Sequence, residues 1–181
     1  YKETKNIEWL NRLEATINEI ELIAPKHSRL NYLKGSLFQL KGNYEKAIEH
    51  YRTSLKNNDK DIDSTIDLAK VYAKVNKIDS AESIFKNSLI NSPNNIRIKI
   101  AFGIHYFRQG YYLKAISQFE SLAKVAPNNH WAYLNQAAAY YSLGDIDKAI
   151  FNTEKALVLN PSADGYANLG TMYFYTGDYN Q

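Results

Sequence analysis

The sequence predicts an all-α chain of antiparallel helix pairs repeated every 34 residues, and three observations carry that expectation. Ala47, Ala81, Ala115 and Ala149 stand 34 residues apart. The columns Phe38, Tyr72, Tyr106, Tyr140 and Gly42, Asn76, Gly110, Gly144 keep the same spacing, and Asp59, Pro93, Pro127 and Pro161 close each unit. Between these columns apolar residues recur at three- and four-residue steps, the pattern of helices with one buried face.

One unit shows the logic of all. Ile100, Gly103, Ile104, Tyr106 and Phe107 mark a first helix, Gly110-Tyr111-Tyr112 a turn, and Ala115, Ile116, Phe119 and Leu122 a second helix that ends before Pro127. Glycine suits the left-handed residue that follows a helix, and proline cannot continue one. Gly35, Ala69, Gly103 and Ala137 fall where the first helix must approach its partner, and the alanine column does the same on the second. The large aromatics of the Tyr72 column are expected to fill the space these small residues leave.

This pattern resembles the tetratricopeptide repeat, a family with small residues at repeat positions 8, 20 and 27, aromatics at 11 and 24, and proline at 32. The resemblance implies a right-handed superhelical solenoid whose concave groove is lined by first helices and binds partner proteins. In chain order, residues 1–27 form a helix through Ile7, Leu10, Leu13, Ile17 and Ile20 that matches the second helix of a preceding repeat, with Pro25 in the closing column. Repeats follow at 28–61, 62–95, 96–129 and 130–162. Residues 163–181 are the first helix of a truncated repeat, on the strength of Tyr166-Ala167-Asn168-Leu169-Gly170, Tyr173, Gly177, Asp178 and Tyr179. Departures from the pattern stand at Ser54, Ser88, Leu122 and Thr153. The missing first methionine and the stop at Gln181 lead us to expect a segment of a longer solenoid, with self-association through its truncated C-terminal edge.

Composition narrows the function classes. A net charge of +3, from 22 basic and 19 acidic side chains, is too small for a nucleic-acid footprint. No apolar run reaches the roughly 20 residues of a membrane-spanning helix, so no membrane insertion is expected in this soluble segment. The absence of cysteine removes disulfides and thiolate chemistry but leaves the compartment open, bacterial cytoplasm and periplasm both fitting.

Catalytic and metal motifs are not found. Asp59-Lys60-Asp61-Ile62-Asp63 copies the opening of a calcium loop, yet Ser64 stands where that loop needs glycine and Lys70 where it needs glutamate. These acids read better as helix N-terminal residues, as do Asp145 and Asp147 in a turn between helices. His27, His50, His105 and His130 occupy unrelated repeat positions, without metal-ligand spacing. No phosphate loop or nucleophile elbow is present, so the chain is expected to be no enzyme and to carry no cofactor.

The family's groove positions, 2, 5, 6, 9, 12 and 13 of the first helix, select the candidate site. They give Asp63, Ile66, Asp67, Lys70 and Lys74, then Arg97, Ile100, Ile104 and Arg108, then Trp131, Leu134, Asn135, Ala138 and Tyr141. The last repeat adds Ala167, Asn168, Thr171, Phe174 and Tyr175. From these the expected partner-binding groove is Lys70, Lys74, Arg97, Ile100, Ile104, Arg108, Trp131, Leu134, Asn135 and Asn168. Asn135 and Asn168 share position 6, like the asparagine ladder with which some solenoids hold a peptide backbone. The family's clamp for chaperone tails needs lysine and asparagine where Tyr32, Ser36, Ile66, Lys70, Ile100 and Ile104 stand, so that mode is not expected. The function implied is a protein-interaction scaffold. The alternatives are a substrate-docking or regulatory arm of a larger enzyme such as a glycosyltransferase, or a bacterial envelope or secretion assembly scaffold.

Overall fold

The computed structural model describes residues 2–177, with side chains from residue 8 onward, so Asp178, Tyr179 and the Ile7 side chain lie outside the described residues. Among the described residues the chain is ten helices and no strand. It divides into two compact units, residues 1–93 and 94–181.

The first unit holds α1 (Lys2–Ile23), α2 (Leu30–Leu40), α3 (Tyr44–Asn57), α4 (Ile62–Lys74) and α5 (Ile78–Asn91). Helix α1 turns one apolar stripe onto α2: Ile17, Leu30 and Leu37 are buried, with Leu10, Leu13, Ile20 and Leu33 packed around them. Within the hairpin α2–α3, a Cβ on Gly35 would stand 2.6 Å from the buried ring of Tyr51, so only glycine lets the two helices meet there. The hairpin α4–α5 places Ala69, Ala81 and Phe85 in the same frame, all buried.

The second unit holds α6 (Ile96–Arg108), α7 (Tyr112–Val125), α8 (His130–Ser142), α9 (Ile146–Leu159) and α10 (Ala163–Thr176). Gly103 repeats the Gly35 device against Phe119, at 2.4 Å from a hypothetical Cβ to the ring. Hairpin α8–α9 is built from small residues instead: Ala132, Ala137, Ala139, Ala149 and Ala156 are buried, and Thr153 takes the aromatic's place with its hydroxyl donated to the Ala149 carbonyl at 2.8 Å. Helix α10 leans on α9 through the buried Met172 and through Gly165, whose Cβ would meet Leu157 at 2.6 Å.

Two local rules fix the helix ends. Asp61, Asn95 and Asn129 recur at 34-residue spacing, and each caps the next first helix by accepting backbone N–H groups from Ser64, Ile98 and Trp131 respectively. Such caps contribute about 1 kcal/mol each. The turn column Gly42, Asn76, Gly110 and Gly144 sits at positive φ throughout, 59° at Asn76 and 81° at Gly144.

The Tyr72 column does not fill the gap left by the small residues. Tyr51 and Phe119 do so, because they face Gly35 and Gly103 directly across the hairpin. The Tyr72 column instead packs at the turn end, where Lys46, Lys114 and Lys148 lie 5.1, 5.1 and 5.2 Å above Phe38, Tyr106 and Tyr140.

Candidate partner-binding face

An α-helix turns 100° per residue, so positions 2, 5, 6, 9 and 12 of a first helix share one face. On α8 these are Trp131, Leu134, Asn135, Ala138 and Tyr141. Trp131 is 55% exposed and Tyr141 40% exposed, whereas Leu134 and Asn135 are half-buried. Trp131 is held at its base: Asn129 accepts its backbone N–H at 3.0 Å, and the His130 ring lies 4.9 Å from it. The Asn135 amide donates one N–H to the Trp131 carbonyl at 2.7 Å, which leaves its second N–H and its oxygen for a ligand.

The neighbouring helices of the second unit extend the same positions. On α10, Asn168 is exposed, and Phe174 and Tyr175 are 64% and 67% exposed with their rings edge to face at 6.0 Å. On α6, Arg97 and Arg108 are exposed and Ile100 and Ile104 half-buried. Eight of the ten expected site residues thus belong to the second unit.

Lys70 and Lys74 belong to α4 of the first unit, both exposed. Lys70 donates to Asp67 at 2.8 Å, and Asp67 accepts from Tyr32, whose hydroxyl pKa is raised by burial and then by that carboxylate. Arg29 bonds Asp63 at 3.1 Å and lies 4.8 Å above Tyr32. The first-helix face of the first unit is therefore a network of paired charges, and that of the second unit is a surface of aromatics.

Sequence reasoning named Tyr141, Phe174 and Tyr175 as groove positions but left them out of the site; their exposure now makes them part of its apolar surface. It missed a groove on the opposite side of α8 altogether. A hollow of about 330 Å³ is lined by Pro127, Tyr133, Phe151, Val158 and Leu159 with Glu154 and Lys155 at its rim. It adjoins a more polar one of about 510 Å³ that reaches Lys124, Gln136, Tyr140 and Asn152.

Of the acids singled out in the sequence, Asp61 and Asp145 are caps, Asp63 and Asp147 stand in the first turns of α4 and α9, and Asp59 accepts from the Asn91 amide at 3.3 Å. Asp61 accepts from the Asp63 and Ser64 N–H groups and from the Ser54 and Ser64 hydroxyls. Asp145 accepts from both the backbone and the side chain of Lys148, and that hydrogen bonding lowers its pKa. Among the described residues no three His, Cys, Asp or Glu side chains are grouped as metal ligands, and no helix is long and apolar enough to cross a membrane.

Repeated hairpins with small residues at the crossing and an open first-helix face define a class, the helical-hairpin repeat proteins. The family follows from comparison: residues 28–61 and 130–162 each match the tetratricopeptide repeat, and the chain is a tetratricopeptide-repeat protein. Over 80 residues, 44% of this chain, it is 31% identical to Hsp70-Hsp90 organizing protein 3 of Arabidopsis thaliana, but it spans only 14% of that relative's length. A crystal structure of MamA shares 23% identity at a TM-score of 0.66, covering 80% of this chain and 85% of MamA. A tetratricopeptide repeat protein from Parabacteroides merdae gives 18% identity and a TM-score of 0.70 over 97% of this chain and 72% of its own. At those identities the two structures speak for the fold alone.

Proposed function

We propose that the chain is a non-catalytic scaffold that binds an extended or helical peptide, apolar with some acidic residues, along the first-helix face of its second unit. One observation carries the reading: large aromatic side chains, Trp131, Tyr141, Phe174 and Tyr175, stand exposed on the first-helix faces of α8 and α10. Exposed aromatics rimmed by polar side chains mark interaction surfaces, because desolvating a rigid ring is where binding energy concentrates. In this reading Trp131 and Leu134 supply the apolar anchor, Asn135 and Asn168 pair with the peptide backbone, and Ile100 and Ile104 continue the floor. Arg97 and Arg108 favour the acidic residues, and Lys70 and Lys74 add cationic positions on α4 of the first unit. A chaperone-tail clamp is not part of the proposal, since Ile100 and Ile104 stand where its lysine and asparagine would be.

Affinity capture from the native organism with mass spectrometry identifies the partner, and titration calorimetry with that partner then tests the face. Trp131→Ala and Asn135→Ala should each weaken binding by about 1–2 kcal/mol while the helical circular dichroism is kept. Unchanged affinity in both folded variants refutes the assignment. The exposed Tyr166, Phe174 and Tyr175 of α10 also support self-association through that helix. Light scattering at micromolar concentration should then report a dimer or larger, and a strict monomer overturns it.

A further inference from the structure

We infer that the groove over α8 between α7 and α9 is a second binding site, taking a partner segment that sets a bulky apolar side chain beside a carboxylate. It is separate from the face proposed above. Tyr133, Gln136 and Tyr140 project from α8 on the side opposite Trp131, Asn135 and Ala138, as the 100° step requires.

The apolar half of the groove is particular to this repeat. Phe151 is 54% exposed and Val158 85% exposed. The matching residues of the preceding repeats are Glu49, Ser83 and Ser117 for Phe151, and Lys56, Ile90 and Lys124 for Val158. Repeat architecture asks for a polar side chain where Phe151 stands. A hollow of about 330 Å³ formed by Pro127, Tyr133, Phe151, Val158 and Leu159 accommodates a large side chain or two, at the small end of ligand pockets.

The other half is built to receive an acid. Lys155 places its ammonium 4.7 Å from the Phe151 ring centre and 5.4 Å from that of Tyr133, and among the described residues neither it nor Lys124 has a carboxylate partner. Lys148 is already neutralised by Asp145 at 2.6 Å, and Glu154 accepts the Tyr173 hydroxyl at 2.7 Å. Glu154 keeps its charge and with Glu120 offsets Lys155 and Lys124 in number, so the groove carries no net charge and suits a single carboxylate set at the unpaired Lys155 ammonium and not a polyanion.

At the floor, Gln136 is only 6% exposed and its Nε2 has no hydrogen-bond acceptor. Of the equivalent residues Lys34, Leu68 and Phe102, the two in the nearer repeats, Leu68 and Phe102, are buried and apolar. A buried donor without an acceptor is destabilising, and a turn of the Gln136 side chain toward the groove it lines lets a ligand oxygen remove that penalty. An anchor for a large apolar side chain, an unpaired lysine and an unpaired donor thus meet in one groove.

The test titrates the 15N-labelled 181-residue protein with capped eight-residue peptides in which a central leucine, phenylalanine or tryptophan is flanked by aspartate or glutamate. Saturable shifts are expected at the Gln136 side-chain amide and around Tyr133 and Phe151. The same peptides with asparagine or glutamine flanks should bind about tenfold more weakly. Phe151→Ser and Lys155→Glu, at exposed positions that leave the fold intact, should each cost about tenfold. Gln136→Leu should raise the melting temperature while weakening the peptide, a pairing that a purely structural glutamine does not give. No saturation by millimolar peptide, equal binding of the neutral peptides, tighter binding of an oligothymidylate, or shifts confined to Trp131 and Tyr141 would each overturn the inference.

Discussion

Hairpins α6–α7 and α8–α9 share one frame and bury opposite things. In the first, Gly103 and Phe119 interlock, and Phe102, Tyr106, Ile116 and Leu122 complete an aromatic and aliphatic core. In the second, the residues at the positions of Phe102, Gly103 and Phe119 are Gln136, Ala137 and Thr153, and the aromatic Phe151 stands two residues away with 54% of its surface exposed. The repeat tolerates the exchange because small alanines let α8 and α9 pack closely without a ring between them. What the second hairpin gives up in buried aromatic surface it displays on its outer side, where Tyr133, Phe151 and Lys155 line the groove. A repeat can thus turn core material into binding surface without leaving its frame.

The largest effect should come from removing the ring on which the first hairpin closes. Phe119→Ala is expected to destabilise by about 3–5 kcal/mol, the cost of a buried phenylalanine and the cavity it leaves. Thr153→Ala, at the same position of the second hairpin, loses one buried hydroxyl bonded to Ala149 and should cost about 1 kcal/mol. Urea unfolding of both variants measures the gap. Equal losses would break the comparison.

Next in size is the small residue facing that ring. Gly103→Ala puts a methyl into the Phe119 ring and should destabilise by about 1–3 kcal/mol, with recovery on adding Phe119→Leu. The reverse change, Ala137→Gly, meets no ring and should cost only the helix penalty of glycine, about 1 kcal/mol. Failure of the leucine to restore Gly103→Ala would show that the close approach is set elsewhere.

The frame was legible in the sequence because it rests on periodic backbone demands. Gly42, Asn76, Gly110 and Gly144 are read directly as left-handed turn residues, and their φ values are positive. Small residues were also legible as close-approach positions, but which ring meets them was not: position 11 and position 24 are both aromatic, and only the hairpin geometry places Tyr51 and Phe119 over Gly35 and Gly103. The face of α8 that carries Trp131 was named from the family's groove positions. The groove behind it did not, although a signal existed in Phe151 breaking the column Glu49, Ser83, Ser117. Pattern matching looks for columns that agree, and binding surface is written where one repeat departs from its column.

The smallest expected effect lies at repeat position 4, where the first hairpin carries Lys99 and the second Tyr133. Tyr133 sends its hydroxyl to the Pro127 carbonyl at 3.0 Å and contributes its ring to the groove. Lys99 is buried, with a hydrogen bond to the Ser121 hydroxyl at 2.7 Å, and burial lowers its pKa from the ordinary 10.5. A lowered pKa means that folding disfavours the ammonium: the penalty is present below the folded pKa and fades as pH rises toward 10.5, so wild-type stability should gain across that window. Lys99→Met removes the charge while keeping the chain length, and should stabilise by about 0.5–1 kcal/mol at neutral pH. That advantage should shrink as pH approaches and passes 10.5. Chemical denaturation of both proteins at pH 7, 9 and 10.5 measures it, and an advantage that stays constant would assign the effect to packing. In that event Lys99 is simply an apolar stem in the closed hairpin.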